Sequence, residues 1–249
     1  MRRQIAAGNW KMNGLSADLA EVVTIGEAAQ KAGCEVALCL PATLLSQAVA
    51  KGLPKALKLG GQDCHTETNG AFTGDISANM LADAGADCVI TGHSERRQSH
   101  GETNGQVAAK TRAAWGAGLT AIICVGETEA QYRAGQTLDV LEAQVAGSLP
   151  TDATADNTIL AYEPIWAIGT GLTPTTREIA ASHAHLRSCL QDANIPILYG
   201  GSVNATNATE IMSLGDVDGG LVGGASLTAD KFTPIITVLE AAKCLLTAQ

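Results

Sequence analysis

Residues 158–164 read "TILAYEP", a short apolar run that ends in Glu163 and Pro164. An apolar stretch with no polar alternation is what a strand covered on both faces requires, as in a parallel sheet packed between helices. The same pattern recurs outward along the chain. "IAAGNW" near 5, "EVALCLP" near 35, "LKLGGQ" near 57, "CVITG" near 88, "LTAIICVG" near 119, "IPILYGG" near 195 and "GGLVGG" near 219 complete eight candidate strands. Between them lie stretches with apolar residues every three to four positions, at 16–31, 104–117, 176–192 and 230–246, the spacing of one helix face. Regular βα alternation without linker or low-complexity segment reads as one α/β domain over residues 1–249. Eight such units in about 250 residues match a closed (β/α)8 barrel of eight parallel strands surrounded by helices. A doubly wound open sheet is the alternative, but "GTGLTP" lacks the third glycine of a dinucleotide fingerprint and no Walker sequence occurs.

The composition fits a packed globular core. Of 249 residues, 46% are hydrophobic and only 3% aromatic, so Ala, Val, Ile and Leu must fill the interior. The formal charge of -9 argues against nucleic-acid and anionic membrane surfaces. The opening "MRRQIAAGNW" is interrupted by Asn9 and Lys11 too soon for a secretory core. Seven cysteines are scattered without a C-x-x-C pair, which signals neither disulfides nor zinc and points to a reducing, cytoplasmic setting. No metal site is expected.

In such a barrel, chemistry is built where strands end and their following loops begin. Here the strand ends are polar: Asn9 and Lys11 after the first, His93 and Glu95 after the fourth, Glu163 at the sixth. Glu163, beside Ile165 and Trp166, reads either as a desolvated base with a raised pKa or as a salt-bridged strand-end carboxylate. His93 could polarise a carbonyl or serve as a cap. Lys11 could hold an anion, though a surface lysine is the common alternative. His65 and His100 carry no functional signal, and His183 and His185, two apart on a helix, face different ways.

The segment Pro164, Ile165, Trp166, Ala167, Ile168, Gly169, Thr170, Gly171 has a stiff start, a free end and a bulky apolar centre. It is long for an ordinary βα connection and reads as a lid. The glycine pairs in "YGGSV" (199–203) and "VGGAS" (222–226) expose backbone N–H groups at adjacent strand ends, where barrels often bind phosphate.

Five segments, "AGNWKMNG", "TGHSERR", "AYEPIWAIGTG", "YGGSV" and "LVGGASL", resemble the motifs of the triosephosphate isomerase family, in that family's order and across residues 7–227. The resemblance implies a cofactor-free interconversion of dihydroxyacetone phosphate and D-glyceraldehyde 3-phosphate through an enediolate, in glycolysis and gluconeogenesis. It makes Glu163 the base, His93 a neutral electrophile, and Lys11 and Asn9 holders of negative charge. Glu95 is implied beside Lys11, and Ser94 near the base. Phosphate is assigned to N–H groups of Gly169, Ser202, Gly223 and Gly224. A homodimer is implied, with the loop 63–77 and its Phe72, Thr73 and Asp75 reaching the other subunit.

Some positions depart from the family pattern. Pro174 replaces a common alanine whose N–H receives the hydroxyl corresponding to Tyr199; proline has no N–H, so closure is expected to rely on Ser202 and Gly171. Asp63, Asp75 and His100 also differ, and a shorter carboxylate at 75 is expected to weaken a pair with Arg96. The rival readings are a Schiff-base aldolase using Lys11 and a phosphosugar-binding protein without turnover.

Overall fold

The first strand of the barrel, β1 (Ile5–Asn9), pairs with both β2 (Glu35–Cys39) and β8 (Gly219–Val222). In the computed structural model, which describes residues 2–167 and 173–246, the ring is completed by β3 (Leu57–Gly61), β4 (Cys88–Thr91), β5 (Thr120–Val125), β6 (Thr158–Tyr162) and β7 (Ile197–Tyr199). All neighbours are parallel and the order around the closed barrel is the order in sequence. The open-sheet alternative is thereby excluded.

Continuous apolarity follows from there being two cores, one inside the ring and one outside it. On β6, Ile159 and Ala161 join the inner core, whereas Leu160 and Tyr162 join the outer one. The inner core is made of Ile, Leu, Ala and Cys, which suits a narrow interior that must be filled completely. The outer core is larger and takes in Trp10 and Phe232, both almost fully buried. Burying each Leu or Ile contributes about 1.5–3 kcal/mol, so the ring is held from both faces.

The helical stretches read from spacing form as Leu19–Ala29, preceded by a 3-10 turn at Ser16–Asp18, and as Asn104–Gly116, Thr176–Cys189 and Ala229–Leu246. Thr176–Cys189 stops short of residue 192 because Leu190 turns extended, at φ -86° and ψ 135°. Capping boxes start two of them: Thr103 with Gln106 and Thr175 with Glu178, each satisfying N–H groups that the first turn leaves free. Closure depends on one glycine. Gly219 stands at φ +142° opposite Ile5, and a Cβ there would meet the Ile5 carbonyl oxygen at 1.9 Å, so no other residue lets β8 reach β1.

Candidate active site

β1, β4, β6, β7 and β8 each deliver a different group to the same rim. Asn9 ends β1 and is 5% exposed. Its side-chain oxygen accepts the Lys11 N–H at 2.9 Å, which helps hold Lys11 at φ 54°, the one positive φ outside glycine among the described residues. Such a conformation costs energy in a non-glycine residue and is kept where the surroundings enforce it. It directs Lys11 Nζ to Glu95 Oε1, 2.6 Å away.

His93 follows β4 and caps the helix Ser94–Ser99: its Nδ1 accepts the Glu95 N–H at 3.2 Å. An Nδ1 that accepts carries no proton, so the ring's hydrogen is on Nε2. That Nε2 donates to Glu163 Oε1 at 2.9 Å. The other carboxylate oxygen of Glu163 accepts the Ser94 N–H at 3.1 Å. Both His93 and Glu163 are buried.

These contacts correct one expectation. Burial alone pushes the Glu163 carboxyl up, as read from the sequence, but facing His93 and the Ser94 N–H outweigh it and the net direction is down. Burial likewise pushes His93 down, and the Glu163 carboxylate opposite outweighs it, so the net direction is up. The shifts belong to the contact. When the carboxylate leaves the imidazole, the forces remaining on His93 favour the neutral ring.

The cavity bounded by these groups has a volume of about 270 Å³ and is lined by Asn9, Lys11, His93, Glu163, Ser202, Gly223 and Gly224, among others. Ser202 donates its hydroxyl to the Ala167 carbonyl at 2.7 Å. Of the lid, Ile165–Ala167 form a 3-10 turn after Pro164, and Trp166 stacks on Tyr132 at 4.2 Å. Ile168, Gly169, Thr170 and Gly171 lie outside the described residues, and with them the phosphate contact expected of Gly169.

Several residues of this site escaped the sequence reading. Glu127, buried just beyond β5, accepts from Trp166 Nε1 at 2.9 Å and from the Tyr162 hydroxyl at 3.3 Å, and its carbonyl takes the Ile165 N–H at 3.1 Å. It anchors the near end of the segment expected to act as a lid. A polar residue at a strand end was the available signal, the same one that marked Glu163. Gly126 and Gly200 make room for the Glu163 segment: Cβ atoms there would lie 1.8 Å from its carbonyl oxygen and 2.8 Å from its Cγ.

The loop 63–77 lies apart from this cavity. Phe72 and Asp75 are exposed, with Phe72 against the His65 ring at 4.0 Å and Asp75 Oδ2 3.9 Å from His65 Nε2. Arg96 pairs within the chain with Asp63 at 2.9 Å and Glu102 at 2.5 Å; its expected pair with residue 75 is one between subunits. Among the described residues, no group of three or more His, Cys, Asp or Glu could hold a metal ion, and no helix is long and apolar enough to cross a membrane.

A closed parallel barrel bearing a buried carboxylate, an Nε2-protonated imidazole and an ammonium around one cavity has the groups that a proton-transfer enzyme needs. The triosephosphate isomerase family model matches residues 4–239. Triosephosphate isomerase of Jannaschia sp. (strain CCS1) is 57% identical over 97% of this chain and 100% of its own length. That of Ruegeria pomeroyi is 55% identical over 97% and 99%. A crystal structure of triosephosphate isomerase from Bartonella henselae superposes with a TM-score of 0.88 at 47% identity, covering 95% of this chain and 98% of that one. The chain belongs to the triosephosphate isomerase family, and its reaction is the interconversion of dihydroxyacetone phosphate and D-glyceraldehyde 3-phosphate in glycolysis and gluconeogenesis.

Proposed function

We propose that Glu163 is the base of this isomerisation, drawing a proton from the carbon beside the substrate carbonyl and returning it to the neighbouring carbon. Removing that proton leaves an electron pair, which forms the C=C bond of an enediolate while charge accumulates on oxygen. His93 Nε2–H and Lys11 Nζ donate to those oxygens, the hydroxyl proton passes from one oxygen to the other by way of His93 Nε2 so that the carbonyl changes carbon, and a fixed donor in a site that excludes water stabilises such charge far more than solvent does. Asn9 sets the Lys11 backbone and Glu95 holds its ammonium. Ser202, Gly223 and Gly224, with Gly169, bind the phosphate, and residues 164–171 cover the site.

The observation carrying this reading is that Glu163, His93 and Lys11, 152 positions apart at the extremes, line one cavity of about 270 Å³. A Schiff-base role for Lys11 fits less well, because its ammonium is held by Glu95 at 2.6 Å and a nucleophilic amine must shed its proton. A coupled isomerase assay on wild type and Glu163→Asp tests the assignment. Shortening the base should lower kcat by roughly 10² or more with little change in KM; unchanged turnover would remove Glu163 from the mechanism.

The remaining reading is one barrel domain over residues 1–249, working as a cytoplasmic homodimer on a small phosphorylated sugar, with neither nucleic acid nor membrane as partner. Support for the dimer comes from exposed Phe72 on the loop 63–77 and exposed Met80 beside it, apolar side chains of the kind a partner covers. Phe72, Thr73 and Asp75 are the proposed contacts. Sedimentation of wild type against Phe72→Asp checks this: a monomeric wild type would refute it.

A further inference from the structure

The inner core holds two thiols in a row. Cys39 on β2 is in register with Gly60 on β3, and Gly60 is in register with Cys88 on β4. All three strands are neighbours, so Cys39 and Cys88 are separated by two strand spacings, roughly 9–10 Å between Cα atoms. Cysteines further apart than about 7 Å cannot form a disulfide without moving the backbone. Their sulfurs nevertheless lean together over the glycine. A Cβ on Gly60 would lie 2.7 Å from each Sγ, so the two sulfurs stand no further apart than twice that distance.

A linear S–metal–S unit lies within that limit. Thiolate bonds to a d10 ion of roughly 2.3 Å give a span of about twice that length, which fits within the limit set over Gly60. Soft thiolates select soft ions, and two-coordinate d10 ions need only two ligands. The surroundings choose further. Ile5, Ala7, Ile90, Ile122 and Ile159 belong to the same apolar cluster, where an uncompensated charge is costly. A divalent ion with two thiolates is neutral, whereas a monovalent ion with two thiolates is an anion.

An entry path is present. A second cavity, of about 320 Å³, opens at the N-terminal mouth of the barrel and is lined by Ile5, Ala37, Cys88 and Ile159. Its rim carries the ion pairs Arg3–Glu35 at 3.2 Å and Lys58–Asp87 at 3.3 Å. Cys124, in the same cluster and near enough to act on Cys39, is engaged by Glu163 through a side-chain hydrogen bond.

We propose that Cys39 and Cys88 form a two-coordinate site for a thiophilic divalent d10 cation, with mercuric ion as its best fit, held linearly across Gly60 inside the barrel. Binding breaks two S–H bonds, forms two metal–sulfur bonds and releases two protons to solvent, with no change of oxidation state. Because binding releases protons, affinity rises with pH.

The test loads reduced protein with one equivalent of mercuric chloride and challenges it with excess monothiol. Wild type should retain one mercury per chain, and Cys39→Ala and Cys88→Ala should each retain less than a tenth of it, while Cys189→Ala keeps it. Retention by Cys88→Ala at the wild-type level would overturn the proposal. Anomalous diffraction from loaded wild-type crystals needs no variant: density between β2 and β4 supports the site, and density only at other cysteines overturns it. Diamide treatment followed by peptide mapping should find no Cys39–Cys88 disulfide; finding one would refute the strand-spacing argument.

Discussion

His93 Nε2 lies 2.9 Å from Glu163 Oε1, and this single contact moves both groups away from their ordinary titration: the carboxyl down and the imidazole up. The signs follow from linkage. Glu163, depressed in the folded state, contributes stability that is present above about pH 4.3 and is lost as pH falls through its lower folded value. His93, raised in the folded state, contributes stability present below about pH 6.5 and lost as pH rises through its folded value. In His93→Ala the burial of Glu163 is opposed mainly by the Ser94 N–H, so its carboxyl should titrate higher than in wild type. Carbon-13 NMR of the Glu163 carboxyl reads this directly, and identical titration in the two proteins would contradict the account. The same variant should lose roughly 10²–10⁴ in kcat.

Lys11 presents a different balance, because Glu95, its partner at 2.6 Å, is 55% exposed. Exposed ion pairs contribute only about 0–1 kcal/mol. Lys11→Met should therefore leave the thermal midpoint within a few degrees of wild type. Its kcat/KM should fall by roughly 10² or more, since the charge that faces the substrate is gone. A collapse of stability with intact kcat/KM would assign Lys11 to the fold rather than to the reaction.

The Tyr199 hydroxyl is buried and without a hydrogen-bond partner among the described residues, and Pro174, just beyond the proposed lid, has no N–H to offer it. Removing an unsatisfied buried group costs little and can stabilise. Tyr199→Phe should be at least as stable as wild type and should slow turnover less than Ser202→Ala, whose hydroxyl bonds Ala167 at 2.7 Å. Steady-state kinetics on the two variants decide it: a Tyr199→Phe defect as large as that of Ser202→Ala would show that the hydroxyl is used when the lid closes.

The barrel was legible because its strands are apolar without interruption, and the site was legible because polarity begins abruptly where each strand stops. Asn9, Lys11, His93 and Glu163 all announced themselves in that way. What stayed hidden was the balance of forces. A sequence can place Glu163 among apolar neighbours and so foretell the desolvation, but not that His93 and the Ser94 N–H would face it and reverse the direction. Glu127 carried the same strand-end signal as Glu163 and was missed because its work, holding Trp166 and Tyr162, is visible only once β5 and β6 are adjacent. Gly126 was hidden for a further reason: its role is to be absent, leaving space 1.8 Å from the Glu163 carbonyl oxygen where a Cβ would be.

His183 makes the clearest case for stability that depends on pH. It is fully buried on the helix Thr176–Cys189, edge-on to Tyr162 at 5.8 Å and tilted against Tyr199 at 6.3 Å. Its Nδ1 donates to the Asp216 carbonyl at 3.1 Å, and Nε2 has no partner among the described residues. Burial pushes its pKa down to about 4, despite the hydrogen bond to Asp216 acting the other way. Between that value and the ordinary 6.5 or so, the unfolded chain binds a proton that the folded chain refuses, so stability falls as pH falls across this window. The loss should total roughly 3 kcal/mol for this one group. Urea unfolding from pH 7.5 to 4.5 measures the slope. His183→Asn removes the titrating ring while keeping an amide donor near Asp216; it should be less stable at neutral pH, because a cavity replaces the ring, yet show a flatter decline on acidification. If its decline is as steep as wild type, the buried imidazole is not the group that the acid attacks.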